Sequence, residues 1–101
     1  PAKRAKKKSL HLNFKIHYKE NKIFLIRDNA LGFWKNLWMP PYEVCKNNNY
    51  DIKHTLSHRD LFIEFKSEEK VDQFENGQWF EKEKLQFIAT PKPISDKLLK
   101  L

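Results

Sequence analysis

Three residues near the middle of the chain have types and a spacing that could support chemistry. In KHTLSHRDLFIEF, residues 53–65, Ser57 is preceded by His54 and followed directly by His58. A serine hydroxyl becomes a nucleophile when an imidazole within hydrogen-bond reach takes its proton and a third group orients that imidazole. Neighbouring residues on strand-like backbone point to opposite faces, however. Because the segment also has no G-x-S-x-G turn, the pattern disfavours a serine hydrolase.

The same histidines are a weak basis for a metal site. His54 and His58 would align on a helix, but along a strand they would lie about 13 Å apart. Cys45 would have to supply a further ligand from another part of the chain, and scattered ligands are not typical of a zinc site. We therefore predict no catalytic residue and no metal ion here.

A hairpin tip is the third interpretation. Residues 51–58 and 60–66 are both strand candidates, with a tight turn near residues 57–59. Such a tip can push a side chain between bases and offer hydroxyl and imidazole groups to a base edge. Spacing alone still favours the simpler alternative, a polar hairpin tip without a ligand.

The elements that must position this tip are mainly strands. SLHLNFKIHY alternates, which predicts a strand over residues 9–18 whose apolar face carries Leu10, Leu12, Phe14, Ile16 and Tyr18. After a turn at KENK, residues 23–27 predict a second strand that forms a hairpin with the first. Residues 28–36 form a loop, YEVC and GQWF predict further strands, and residues 94–101 predict a terminal helix. About six short strands and one helix indicate an α+β domain.

The loop and the run after it are rich in aromatic residues. Phe33, Trp34 and Trp38 lie close together in GFWKNLW. Aromatic rings can stack on nucleic-acid bases, but such residues more often belong to a core. We expect Trp38 to be a core residue and leave the place of Trp34 open.

The positive charge is concentrated at the start of the chain. The 101 residues suggest one domain and have a net charge of +7. Residues 1–8 contain five of the 20 basic side chains and no acidic one, which leaves 15 basic against 13 acidic residues elsewhere. We therefore divide the chain into a basic tail, residues 1–8, and a domain, residues 9–101. The tail suits phosphate contacts or serves as a solvated linker; its cations are Lys3, Arg4, Lys6, Lys7 and Lys8.

Composition also indicates the cellular compartment in which we expect the protein. No apolar run approaches the roughly 20 residues of a membrane span, and no secretory signal is visible. The single cysteine, Cys45, cannot form an internal disulfide or hold an iron–sulfur cluster. We expect an intracellular, monomeric protein without a cofactor and without a membrane partner.

Two segments together resemble a known family. GFWKNLWMPPYEV, residues 32–44, is similar to the Gly-Leu-Trp…Leu-Trp…Pro segment in the C-terminal domain of MutY-type adenine DNA glycosylases. KHTLSHRDLFIEF is similar to the His-x-Phe-Ser-His segment and following strand of that domain. The resemblance covers roughly residues 3–101, and the pair in this order is more specific than either segment alone.

The resemblance implies a fold similar to Nudix hydrolases without their catalysis. Nudix catalysis requires a helix with clustered glutamates that bind a divalent metal ion, and the sequence has KNNNYD in that place. One Nudix helix is thus expected to be trimmed away. The family domain helps recognise 8-oxoguanine opposite adenine in double-stranded DNA during base-excision repair. Excision chemistry and the iron–sulfur cluster belong to a separate N-terminal catalytic domain, the second expected partner. The resemblance also implies a cytoplasmic protein that is associated with the bacterial nucleoid.

The family's Phe-Ser-His tip corresponds to Leu56, Ser57 and His58. The resemblance thus implies that lesion-binding residues lie in the tip, namely Thr55, Leu56, Ser57, His58 and Arg59. Leu56 stands where the family usually has Phe, so stacking on a base is weakened while wedging beside it remains possible. A general basic nucleic-acid-binding module and a divergent Nudix pyrophosphohydrolase are the alternatives.

Overall fold

The computed structural model describes residues 8–46, 49–71 and 76–101. These residues form seven strands, one 3-10 helix at Lys82–Phe87 and one α-helix, α1, at Lys92–Leu98. The strands are β1 Lys8–Ile16, β2 Tyr18–Lys19, β3 Lys22–Ile26, β4 Tyr42–Cys45, β5 Ile52–Thr55, β6 Arg59–Ser67 and β7 Gly77–Glu81. The predicted α+β class is confirmed.

The strands divide between two sheets. One is mixed, with the order β4-β1-β6-β5, and in it β1 and β6 run parallel while the other pairs are antiparallel. The other sheet is antiparallel, with the order β2-β3-β7. Both parallel strands have nine residues and form the centre of the mixed sheet.

The core lies between the two sheets. Alternation on β1 and β6 turns one apolar face of the mixed sheet inward, and four consecutive residues of β3 are buried against it. Leu85 of the 3-10 helix and Ile94 and Leu98 of α1 belong to the same cluster. Both helical segments therefore pack on the inner side of the mixed sheet. Its other side, which we call the outer face, has His11, Asn13 and Phe62 at its centre.

The first predicted hairpin has its turn at KENK as expected, but its first strand is the short β2 and not the whole of residues 9–18. β1 ends at Ile16 and pairs with β4 and β6, whereas β3 pairs with the short strand β2. The chain changes sheets at His17, which is buried, with Nδ1 2.8 Å from the Glu68 carbonyl oxygen. The His17 carbonyl accepts a hydrogen bond from the Phe24 N–H at 3.1 Å. This break ends the alternation, so Tyr18 is exposed instead of joining the apolar face.

Two boundaries differ from the predicted ones. Lys8 belongs to β1 and not to the tail, because it pairs with Arg59 at the start of β6. Helix α1 begins at Lys92, two residues earlier than predicted, and ends at Leu98. Pro93 is compatible with this start because the first helical turn does not need its missing N–H.

Two expectations about apolar residues can be compared directly with the structure. Trp38 is half-buried, packs on the core and meets the Phe80 ring at 4.8 Å, which confirms its predicted place. Neither helix in the described part of the chain is long and apolar enough to cross a membrane.

Candidate nucleic-acid interface

The hairpin tip, residues 55–59, is a tight turn between β5 and β6. Thr55 pairs with Asp60, and the Leu56 N–H donates to the Arg59 carbonyl at 2.7 Å. Ser57 and His58 fill the turn and are exposed. Within the described ranges, neither side chain makes a hydrogen bond. The predicted turn is confirmed, and it presents a hydroxyl and an imidazole to a ligand.

Two of the other three tip residues, Leu56 and Arg59, are less exposed. Leu56 is half-buried and packs against the core. Thr55 is exposed, and Arg59 is half-buried. Leu56 therefore supports the turn from below and presents only part of its side chain as a wedge.

A second segment packs beside the tip. The loop of residues 28–36, which we call the aromatic loop, brings the Phe33 ring to 5.6 Å from the Arg59 guanidinium carbon. Trp34 meets Phe33 at 5.2 Å and the imidazole of His54 at 6.1 Å. The cation over a ring and the packed rings hold the loop against the hairpin. His54 thus faces Trp34, so the structure gives it a packing role that its spacing did not predict.

Local backbone geometry shapes the aromatic loop. Gly32, Trp34 and Asn36 have φ angles of +80°, +55° and +63°, a region that residues with a side chain rarely adopt. The Asn29 side-chain oxygen accepts the Asn36 N–H at 2.8 Å and stabilises this path. Tyr42 anchors the loop's start by donating to Asp28 Oδ1 at 3.0 Å. The sequence marked this loop through Gly32, but nothing in it indicated contact with the tip.

Basic groups lie at the same end of the mixed sheet. The parallel register places Lys8 beside Arg59, and the antiparallel pair His11–Cys45 brings Lys46, which follows β4, toward that end. Lys8 is exposed and is the residue to which the rest of the predicted tail is joined. The tail cations Lys3, Arg4, Lys6 and Lys7 lie outside the described residues.

The arrangement does not assemble a hydrolytic or metal site from the residues considered. The structure brings His54 to Trp34, and it leaves His58 beside Ser57 in the exposed turn. In residues 8–46, 49–71 and 76–101, no group of three His, Cys, Asp or Glu side chains is placed to hold a metal ion.

A cavity of about 670 Å³ lies at the opposite end of the mixed sheet, where β1 and β6 finish. Ile16, His17, Ser67 and Glu68 contribute to its wall. Since β6 has nine residues, the cavity is about 26 Å from the tip along the strand. It is separate from the candidate interface.

Comparison with known proteins informs the fold. No protein-family model matches the chain, and no curated protein matches it. Among solved structures, the chain is similar to the solution structure of the E. coli ORF135 protein, with a TM-score of 0.62 and 14% sequence identity. The match covers 93% of this chain and 88% of that protein. At this identity the likeness concerns the fold alone, and it is consistent with the expected small Nudix-like domain.

Proposed function

We propose that this chain is a non-catalytic lesion-recognition domain that helps a MutY-type adenine DNA glycosylase recognise 8-oxoguanine opposite adenine. One observation carries the proposal. The two segments on which the resemblance rests, residues 32–44 and 53–65, meet at one end of the mixed sheet through Phe33–Arg59 and Trp34–His54. The Lys8–Arg59 register adds the start of the basic region to that end.

The chemistry of Ser57 suits the lesion. Guanine N7 is a hydrogen-bond acceptor in the major groove. Oxidation at C8 makes N7 a donor and adds a carbonyl oxygen. A hydroxyl group accepts one hydrogen bond and donates another, so the exposed Ser57 side chain can pair with both new groups. His58 lies next to it and offers a second polar group to the base edge or the backbone.

The remaining residues position the tip on DNA. Arg59 and Lys8 attract phosphates, and such contacts set orientation without carrying sequence information. Leu56 packs mainly on the core. Its role is therefore to fix the position of Ser57 relative to the sheet and to fill space beside the base. In this proposal the catalytic domain supplies adenine excision and the iron–sulfur cluster, and this chain releases no adenine by itself.

The test is amide chemical-shift mapping with two duplexes. One carries 8-oxoguanine opposite adenine, and the other carries guanine in the same position. We expect the lesion to shift the amides of residues 55–59 selectively. Ser57→Ala should lower the preference for the lesion by about five- to tenfold, the value of one or two hydrogen bonds. Ser95→Ala, a serine on α1, is the matched control and should leave the preference unchanged.

Other outcomes would favour the alternatives. If both duplexes affect only the basic region, the chain is a general nucleic-acid-binding module and the lesion proposal fails. Turnover of a nucleoside triphosphate with magnesium would indicate a pyrophosphohydrolase. The described helices argue against that reaction, because the 3-10 helix and α1 together contain a single glutamate, Glu83.

A further inference from the structure

The outer face of the mixed sheet has an aromatic cluster beneath the tip. The Phe62 ring stacks on the His11 imidazole, with centroids 4.8 Å apart and planes inclined by 16°. Tyr50 meets Phe62 edge-on at 5.0 Å. We call His11, Tyr50 and Phe62 the stacking platform. Phe62 lies three residues after Arg59, so the platform begins about 10 Å from the tip.

A cation lies directly beside the platform. Lys53 pairs with Phe62 across β5 and β6, and its ammonium group is 5.7 Å from the ring centroid. Tyr50 is 50% exposed although it is a large aromatic residue. An interface core for another protein is normally depleted of charge, whereas a ring beside a lysine suits a base that is joined to a phosphate.

Lys53 is the cation next to the platform on this face. Towards the far end, Glu43 and Glu64 pair with Lys15 and Lys66 at 2.9 and 3.3 Å. Towards the tip, Lys53 is exposed beside Phe62, and Asp60 lies two residues before Phe62 on the same face of β6. Lys53 is therefore the group that can meet the phosphate of a base stacked on the platform.

Two polar atoms on the same face support a ligand. His11 Nδ1 and Asn13 Oδ1 are buried and have no hydrogen-bond partner among the described residues. A buried polar atom without a partner destabilises the folded protein. A base stacked on the platform would offer donors and acceptors to these atoms, which a purely apolar partner would not.

We infer that the stacking platform binds an unpaired base of single-stranded DNA. Tyr50 and Phe62 supply the aromatic surface, and Lys53 contacts the adjacent phosphate. A duplex cannot use this surface because both faces of each internal base are already stacked. The inference goes beyond the proposed function, since it requires no lesion and uses a different face from Ser57.

The experiment compares two fluorescent single strands of equal length. One is a thymidine 12-mer, and the other has abasic sites in place of every base. Both have the same phosphates, so the basic tail binds them equally. We expect the wild-type chain to bind the thymidine strand about tenfold more tightly, which is the value of one stacked base. The measurement is fluorescence anisotropy, with ring-proton shifts of Tyr50 and Phe62 as a second observable.

Variants of Tyr50 decide the result. Tyr50→Ala should abolish the preference for bases, and Tyr50→Phe should keep it because the stacking ring remains. Tyr18→Ala removes a comparably exposed tyrosine from the other sheet and should change nothing. The inference is overturned if wild type shows no preference or if Tyr50→Ala retains it. Either failure leaves the lesion-dependent shifts of residues 55–59 unaffected, so the two proposals are separable.

Discussion

Tyr42 links the aromatic loop to the mixed sheet through one hydrogen bond. Its hydroxyl donates to Asp28 Oδ1, and the same oxygen accepts the Ala30 N–H at 3.3 Å. Burial, followed by the hydrogen bond and the charge of Asp28, raises the pKa of Tyr42 to about 12. The protonated phenol is therefore favoured in the folded state.

This shift determines how stability depends on pH. In the unfolded chain the Tyr42 phenol has the ordinary pKa of 10.0. The stability that the phenol adds to the folded state is therefore complete below pH 10 and is lost as the pH rises toward about 12. Tyr42→Phe should lower the free energy of unfolding by about 1 kcal/mol at neutral pH. The variant should also lose less of its free energy of unfolding than the wild type when the pH is raised above 10. Urea unfolding of both proteins at neutral and alkaline pH measures this.

Tyr18→Phe is the matched control for Tyr42. The Tyr18 hydroxyl also donates one hydrogen bond, to Asn21 Oδ1 at 3.1 Å, but in an exposed position. Its removal should cost less and should not change the alkaline dependence. Equal pH profiles for wild type and Tyr42→Phe would contradict the role assigned to Asp28.

Among the elements, the turn between β2 and β3 carries backbone strain. Glu20 and Asn21 have φ angles of 52° and 61°, as a type I′ hairpin turn requires at both central positions. Asn tolerates this conformation, whereas Glu does so poorly. Glu20→Asn should therefore raise the free energy of unfolding by about 0.5 kcal/mol. Asn21 should be kept, because its amide donates to Glu83 at 3.0 Å.

The control for the turn is Glu69→Asn. Glu69 is exposed and is not among the residues with positive φ, so this substitution removes the same charge without relieving strain. Thermal or urea unfolding distinguishes the two variants. If both change stability equally, charge and not backbone conformation is responsible.

Strand β7 begins at a glycine because the Phe24 ring occupies the adjacent space. A Cβ atom at Gly77 would overlap the Phe24 ring, and Phe24 is buried and packs edge-on against Trp79 at 5.4 Å. Gly77→Ala should therefore lower the free energy of unfolding by about 1–3 kcal/mol, the cost of overpacking.

Phe24→Leu tests the cause of that loss. A smaller side chain makes room for the new methyl group, so the double variant should be more stable than the sum of the single effects predicts. Urea unfolding of the four proteins completes the cycle. Additive effects would show that Gly77 is required for a reason other than the Phe24 ring.

Over the whole molecule, the parallel register joins the basic tail to the end that carries the tip. Removal of residues 1–7 takes away four cations but retains the paired Lys8. If all four contact phosphates, the slope of log affinity against log salt should fall by roughly 3–4. Because phosphate contacts position without specifying, the preference for 8-oxoguanine should remain.

A salt titration separates the phosphate contacts of the tail from lesion recognition by the tip. Fluorescence anisotropy at several salt concentrations, with lesion and plain duplexes, measures slope and preference together. A full-length variant with Lys3, Arg4, Lys6 and Lys7 changed to Gln controls for chain length. Loss of the lesion preference in either protein would place recognition in the tail and contradict the role of the tip.

The sequence determined much of the local structure. Alternation in residues 9–18 and 60–66 predicted strands, which the structure has at Lys8–Ile16 and Arg59–Ser67. The tight turn predicted near residues 57–59 is present, and Ser57 and His58 are exposed in it. Local periodicity is sufficient here because the side chains of a strand alternate between its two faces whatever the partner strand is.

Only the tertiary structure decided which strands and loops meet. Alternation does not specify a pairing partner. It could therefore not reveal that β1 runs parallel to β6 or that the chain changes sheets at His17. That register brings Lys8 to Arg59, and packing of the loop adds Phe33 and Trp34. The platform of His11, Tyr50 and Phe62 arises in the same way. These contacts join residues distant in sequence, so no local pattern in the sequence specifies them.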